Sequence, residues 1–363
     1  MSNYLEYKDK AAFHPGYYIK EIIEESGLTQ EDFAKRLGTT PKNISILIRG
    51  EQDLSIDIAA KLSRMLGTSI AYWLNIQQSY DELVAEYKSE EELKREREVF
   101  KLIDYKYFRD FFGLPNLPRK VDEQIKYVRE FLQISSLTVL EEQSLAVNFR
   151  SYSEDRSKSN TVNANTMVQI AVNYVLKIKA PKYNKKKFEK AVAFALTQTK
   201  NHENFLTAVT EAFQEAGVVM VVLPCLKNSG INGATKKVDG KMMLMVNDRR
   251  HYADTFWFTL FHEIGHILNG DYGASFNDEA EDEADLYARQ ALIPQDKYEQ
   301  FVGREQSFDE DSIRQFADSI NQDPGIVLGR LLKDGKVSYT DTRLSKRLRH
   351  TYSVKIAKWC CLA

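Results

Sequence analysis

Two histidines stand four residues apart at His262 and His266, with Glu263 directly after the first. On a helix, residues at that spacing share one face, one turn above the other, so both imidazoles can reach one metal ion. A carboxylate beside them can take a proton from a water that the metal activates. The pattern suggests zinc hydrolase chemistry. A catalytic zinc takes three protein ligands and keeps one position open. The acidic run from Asp278 to Asp285 supplies the third ligand, assigned to Glu281 with Glu279 as runner-up. Asp285, one turn beyond Glu281, can accept the remaining N–H of a ligand histidine and fix its tautomer. The same run could be a solvated helix face, and the three fixed residues of H-E-x-x-H do recur by chance. Their place in the apolar stretch Trp257 to Leu268, with a carboxylate-bearing helix close behind, favours the metal reading. Arg249, Arg250 and His251 precede the stretch and could polarise a carbonyl; surface charge is the plainer account of each. No residue identifies itself as an oxyanion donor.

These side chains need a scaffold. Helical periodicity occupies about 164–178, 186–198 and 203–215, and then the period changes. Val218 to Leu223, Ile231 to Lys237 and Met242 to Val246 read as three strands separated by Gly230 and Asp239-Gly240. The third leads into the metal helix. Ala280, Ala284 and Ala288 would let the following helix pack closely against it. Residues 80–109 form a charged helical stretch, an exposed helix, spacer or dimer helix. The polar residues 151–160 mark a boundary loop.

The first part of the chain is punctuated differently. Thr29-Gln30-Glu31-Asp32 opens a helix that Gly38 closes; Thr40-Pro41 opens another that Gly50 stops. The pair has the dimensions of a helix-turn-helix, whose second helix enters the major groove by its N-terminal end. Thr40, Lys42, Asn43 and Ser45 are the candidate base contacts. Gln30, Lys35, Arg36 and Arg49 are candidates for the phosphate backbone. Acidic neighbours offset these cations, so a helical protein-interaction module fits the pattern as well. If DNA is bound, a dimer on a palindromic site is the sensible form.

Composition limits the other classes. The chain has 363 residues and a net charge of −2, which argues for several domains and against a polybasic arm. Cys225, Cys360 and Cys361 are too few and too clustered for a disulfide framework. The start lacks the apolar core of a signal peptide, and no apolar run reaches membrane-spanning length. A soluble cytoplasmic protein without membrane contact is expected. The basic residues from Arg343 to Lys358 read as a solvated helix.

Residues 14–78, from His14-Pro15-Gly16 through Gly27-Leu28-Thr29-Gln30-Glu31 to Trp73-Leu74-Asn75, resemble the Xre-type helix-turn-helix of HigA-like antitoxins. Trp257 to Leu268 is similar to the zinc helix of ImmA/IrrE-type metallopeptidases, and Glu281 to Ala288 with Leu292-Ile293-Pro294 to their third-ligand motif. Ile313, Phe316-Ala317 and Pro324 to Leu331 resemble the C-terminal segment of that family. The resemblance implies an α+β, mostly α protein: a helix-turn-helix bundle fused to a zincin-like domain with a small sheet. The corresponding limits are 13–78, a helical middle region 79–160, a metallopeptidase domain 161–306 and a helical segment 307–363. It implies Zn2+ on His262, His266 and Glu281, catalysis by Glu263, operator DNA as one partner, and a repressor or antitoxin as the cleaved substrate. The alternative is a non-enzymatic antitoxin or autorepressor whose metal fold senses or binds a partner; latency of the peptidase is open in either case. One departure matters: Ile46 stands where the family often carries a basic residue on the recognition helix.

Overall fold

The computed structural model describes residues 3–142, 157–249, 251–271, 278–305 and 307–352. The chain divides into two compact units, Met1–Arg95 and Glu96–Ala363.

The first unit opens with a hairpin, β1 (Tyr4–Tyr7) and β2 (Lys10–Phe13), paired antiparallel with Tyr4 opposite Phe13. Four helices follow: α1 (Pro15–Ser26), α2 (Gln30–Leu37), α3 (Pro41–Ile48) and α4 (Ile56–Leu66). Local chemistry sets their starts. The hydroxyls of Thr29, Thr40 and Ser55 each accept a backbone N–H three residues on, satisfying donors that a helix start leaves unpaired. Phe33, Ile44, Leu62 and Trp73 form the centre of the core. Gly16 is required by packing: a Cβ there would run into the backbone carbonyl of Leu47, so only glycine lets α1 lie this close to α3. Then comes α5 (Ile70–Phe100), one continuous helix of 31 residues that begins before the charged stretch expected from residue 80. The boundary between the units falls inside it.

The second unit adds α6 (Tyr105–Phe112), α7 (Val121–Leu132), a 3-10 turn at Leu137–Glu141, α8 (Lys158–Lys177), α9 (Lys185–Thr197) and α10 (Phe205–Glu215). Three strands follow: β3 (Val218–Leu223), β4 (Gly233–Val238) and β5 (Lys241–Asn247). Their order is β3-β5-β4, with β3 parallel and β4 antiparallel to β5. Gly233 pairs with Val246, and Val238 with Lys241. The central β5 is buried along its whole length, which explains its unbroken apolar run. Lys241, like Asn247 at the other end of the strand, is polar and buried. Its ammonium donates to the carbonyls of Val175 and Ile178 at 2.8 and 3.0 Å, at the C-terminal end of α8, where helix carbonyls lack partners.

The remaining helices are α11 (Ala253–Asn269), α12 (Asp278–Leu292), α13 (Gln295–Arg304), α14 (Glu310–Ser319), α15 (Pro324–Lys333) and α16 (Thr342–Leu348). Both α8 and α11 pack on the sheet. Ile313, Leu328 and Leu344 from the last three helices share one core with Trp257 and Leu260 of α11. The protein is thus α+β and mostly α. Residues 151–156 of the expected loop, and Arg250, Lys355, Lys358, Cys360 and Cys361, lie outside the described residues. No helix among those described is long and apolar enough to cross a membrane.

Candidate metal centre and nucleic-acid interface

Helix α11 is fixed at both ends. Near its start Asp254, 3 % exposed, accepts two hydrogen bonds from the Arg349 guanidinium at 2.9 and 2.8 Å. Burial pushes the Asp254 carboxyl up, and Arg349 counters that. At the other end Gly270 takes φ +86°, a left-handed helix stop that favours glycine. Between them Gly265 faces Ala284 of α12. A Cβ on Gly265 would stand 3.1 Å from the Ala284 Cα and 3.3 Å from the Tyr287 ring. Ala284 and Ala288 are buried, so small residues on both helices allow the close approach.

That approach brings Glu281 to the two histidines. The Nε2 atoms of His262 and His266 are 3.1 Å apart. Glu281 places Oε2 3.4 Å from His262 Nε2 and Oε1 3.6 Å from His266 Nε2. Two ligands about 2.05 Å from a tetrahedral zinc stand about 3.3 Å apart. The three observed separations bracket that value, so the donor set fits a zinc-sized cation. The other nitrogen of His262, Nδ1, is 2.9 Å from Asp285 Oδ1, and Lys333 approaches Asp285 Oδ2 at 3.4 Å.

The protonation pattern follows from the same geometry. Burial opposes a charge on His262, but its hydrogen bonds to Asp285 and Glu281 outweigh this and lift its pKa to about 10. His266 is lowered to about 4 by burial and by the neighbouring charge on His262. Without a cation, the pair therefore holds its proton on His262. For Asp285, burial pushes upward, yet His262 and Lys333 bring the carboxyl well below the usual range.

Glu263, which follows His262 on the helix, lies against the sheet. Its side chain rests on Gly233, the first residue of β4. A Cβ at Gly233 would come within 2.5 Å of Glu263 Oε1 and 2.7 Å of its Cγ. Burial raises the Glu263 carboxyl to about 8, against a partial opposing effect of His262. Sequence reading did not single out Gly233. Its only signal was a glycine inside the expected strand Ile231 to Lys237, where a close approach is one of the standard reasons for that residue.

Other expected residues fall in different places. The Glu279 side chain lies outside the described residues. Arg249 and His251 are exposed. They form part of the rim of a cavity of about 200 Å³ between β3, α10 and the first half of α11. Among the described residues a second group, His202, Asp323 and His350, also clusters.

In the first unit, Gln30, Thr40 and Lys42 are exposed at the starts of α2 and α3. Asn43 and Ser45 are half-buried and locally engaged. Asn43 Nδ2 donates to Thr39 Oγ1 at 3.0 Å, and the Arg49 guanidinium donates to Ser45. Arg49 also forms a two-pronged pair with Glu51 at 2.8 and 2.9 Å, and Lys35 pairs with Glu31 at 2.9 Å. Two of the expected phosphate-contacting cations are therefore already matched by acids.

Comparison with known proteins identifies both parts. The helix-turn-helix family model matches residues 19–73, and that of the IrrE N-terminal-like domain matches residues 214–326. The chain is 34 % identical to virulence-associated protein I of Dichelobacter nodosus over 21 % of its own length and 70 % of that protein. It is 34 % identical to the uncharacterized HTH-type transcriptional regulator YddM of Escherichia coli over 21 % of its length and 84 % of the relative. It is 32 % identical to antitoxin HigA-1 of Vibrio cholerae over 22 % and 75 %. The chain belongs to the helix-turn-helix regulators of the Xre and antitoxin type, and it carries in addition a domain of the IrrE-like peptidase family.

Proposed function

We propose that the protein is a DNA-binding regulator with zinc-dependent endopeptidase activity on a repressor- or antitoxin-class protein, acting in the cytoplasm. Residues 13–78 form the DNA-binding domain, 79–160 the helical middle region, 161–306 the peptidase domain and 307–363 its helical extension. His262, His266 and Glu281 hold the zinc, and Asp285 fixes the His262 ring by accepting its Nδ1 proton. When bound, Zn2+ supplies a Lewis acid that polarises a carbonyl and makes water a nucleophile near neutral pH. Glu263 takes the proton of the attacking water and passes it to the leaving amine. Burial supports that role, because a carboxyl raised to about 8 exchanges a proton near neutral pH. Gly233 leaves the space in which this carboxyl sits.

At the other end, Thr40, Lys42, Asn43 and Ser45 face the bases from the N-terminal half of α3, and Gln30 holds the backbone. Reading by Asn43 and Ser45 requires release of their contacts with Thr39 and Arg49. The near balance of charge in this domain supports a homodimer on a two-fold operator over a single copy.

The observation that carries the enzymatic reading is the agreement of the three donor separations, 3.1, 3.4 and 3.6 Å, with those of a tetrahedral zinc. The test uses the zinc-loaded chain and its Glu263→Gln variant. Each is added to a cytosolic extract from cells lacking the protein, and new protein N-termini are mapped. The variant should retain one equivalent of zinc and generate none of the new termini. Identical termini from both proteins would refute the role of Glu263, and their absence from both would favour a metal fold that only senses or binds.

A further inference from the structure

The cavity beside α11 is distinct from the histidine and glutamate cluster and lies earlier along the same helix. Its lining includes Thr259, one helical turn before Glu263, and Asn232, which directly precedes the Gly233 on which Glu263 rests. One turn of helix is about 5.4 Å, less than the span of two extended residues. The floor is apolar: Phe205 and Phe256 are buried, with Val222 and Tyr352 beside them. Glu203, Arg249 and His251 are exposed at the rim, and the half-buried Asp248 and His202 and the buried Asn247 add to the polar part of the lining.

Size limits the occupant. A cavity of about 150 Å³ holds a benzene molecule, and drug-sized ligands need about 300–1,000 Å³. At about 200 Å³ this cavity takes one aromatic ring or a branched aliphatic group and excludes a nucleotide or larger cofactor. We propose that it is a specificity pocket, accepting a large apolar side chain within two residues of the bond that the proposed peptidase cleaves. The inference deepens the enzymatic reading and rests on it.

One wall of the pocket comes from far along the chain and is held in place. Tyr352 N–H donates to the His251 carbonyl at 2.7 Å, and Ala253 N–H to the His350 carbonyl at 2.9 Å. The Tyr352 hydroxyl and His202 Nδ1 are 2.8 Å apart, and His202 Nε2 is 2.9 Å from Asp323 Oδ2. His350 stacks on His202 with ring centroids 3.6 Å apart and planes at 30°. Imidazole lone pairs lie in the ring plane, so rings stacked this way do not aim at one point about 2 Å from each. The second His and Asp cluster therefore serves as a clamp on Tyr352, and Tyr352 sets the depth of the pocket.

Binding can be read without any cleavage. The full-length chain is titrated with N-acetyl-phenylalanine methylamide, N-acetyl-alanine methylamide and benzyl alcohol, following the methyl resonances of Val222, Thr255 and Thr259. The phenylalanine compound should bind at least tenfold more tightly than the alanine compound. Thr255→Phe, which fills the pocket from the half-buried Thr255 position on α11, should abolish the difference. Tyr352→Ala should shift preference from phenylalanine to the larger tryptophan analogue; a variant that fails to fold leaves Thr255→Phe as the deciding comparison. Equal binding of both amides would overturn the proposal. Binding of benzyl alcohol alone would also overturn it and identify a small-molecule site. Selective amide binding by a chain that yields no new N-termini would leave the pocket standing and the peptidase reading refuted.

Discussion

Glu263→Gln has a consequence for folding that needs no substrate. In the cation-free protein the Glu263 carboxyl titrates near 8, against an ordinary value of 4.5, because burial penalises its charge. Between those values the unfolded chain has lost a proton that the folded chain retains. Stability therefore falls as pH rises through this window, by up to about 1.4 kcal/mol per pH unit. Over the whole window the loss reaches roughly 4–5 kcal/mol. A glutamine side chain at this position would keep the shape and remove the ionisation. The variant should match the wild type near pH 4.5 and exceed it at pH 8 by roughly 4 kcal/mol, or on the order of 10 °C in melting temperature. The assay is calorimetric melting of chelator-treated protein at several pH values between 4.5 and 8. Zinc should close the gap at pH 8, because a nearby cation stabilises the ionised carboxylate. A pH-independent difference, or a variant less stable than wild type at pH 8, would refute the argument that Glu263 is buried without compensation.

Three further outcomes follow from particular contacts. Asp285→Asn keeps all three proposed ligands but weakens the hold on His262, so zinc affinity in a chelator competition should fall about 10- to 100-fold; unchanged affinity would remove Asp285 from the site. Arg349→Ala leaves Asp254 buried without its cation and should cost roughly 3–5 kcal/mol in urea unfolding at pH 7.5. That loss should shrink at pH 5, because protonation relieves a carboxyl already raised by burial. Lys42→Ala should weaken binding to DNA from upstream of the protein's own gene by about 1–3 kcal/mol and relax the preference at the base it reads; an unaltered sequence preference would place Lys42 away from the bases.

The local signals were the most readable. Helix starts at Thr29, Thr40 and Ser55 were marked by hydroxyl residues, because the cap chemistry is contained within four residues. The three strands before the metal helix were visible as a change of period, and β5 as an apolar run, because a strand buried on both faces has no polar side to show. The hairpin at Tyr4–Phe13 left no such trace, since strands of four residues with exposed positions give too short a pattern. The charged stretch from residue 80 was legible as helix, but its continuity with the residues from Ile70 was not, because a charged segment there succeeds an apolar one.

By itself the sequence determined the chemistry available: two imidazoles and a carboxylate on one helix, acids on the next, and small residues where the helices meet. Those facts depend on spacing along a helix, which geometry fixes. Tertiary structure alone decided which acid stands 3.4 and 3.6 Å from the histidines, and that Asp285 reaches His262. It also decided that Glu263 leans on Gly233, and that Tyr352 walls a cavity beside residues some 100 positions earlier. Such contacts join segments whose separation along the chain carries no periodic signal, so only close packing of the folded chain brings them together.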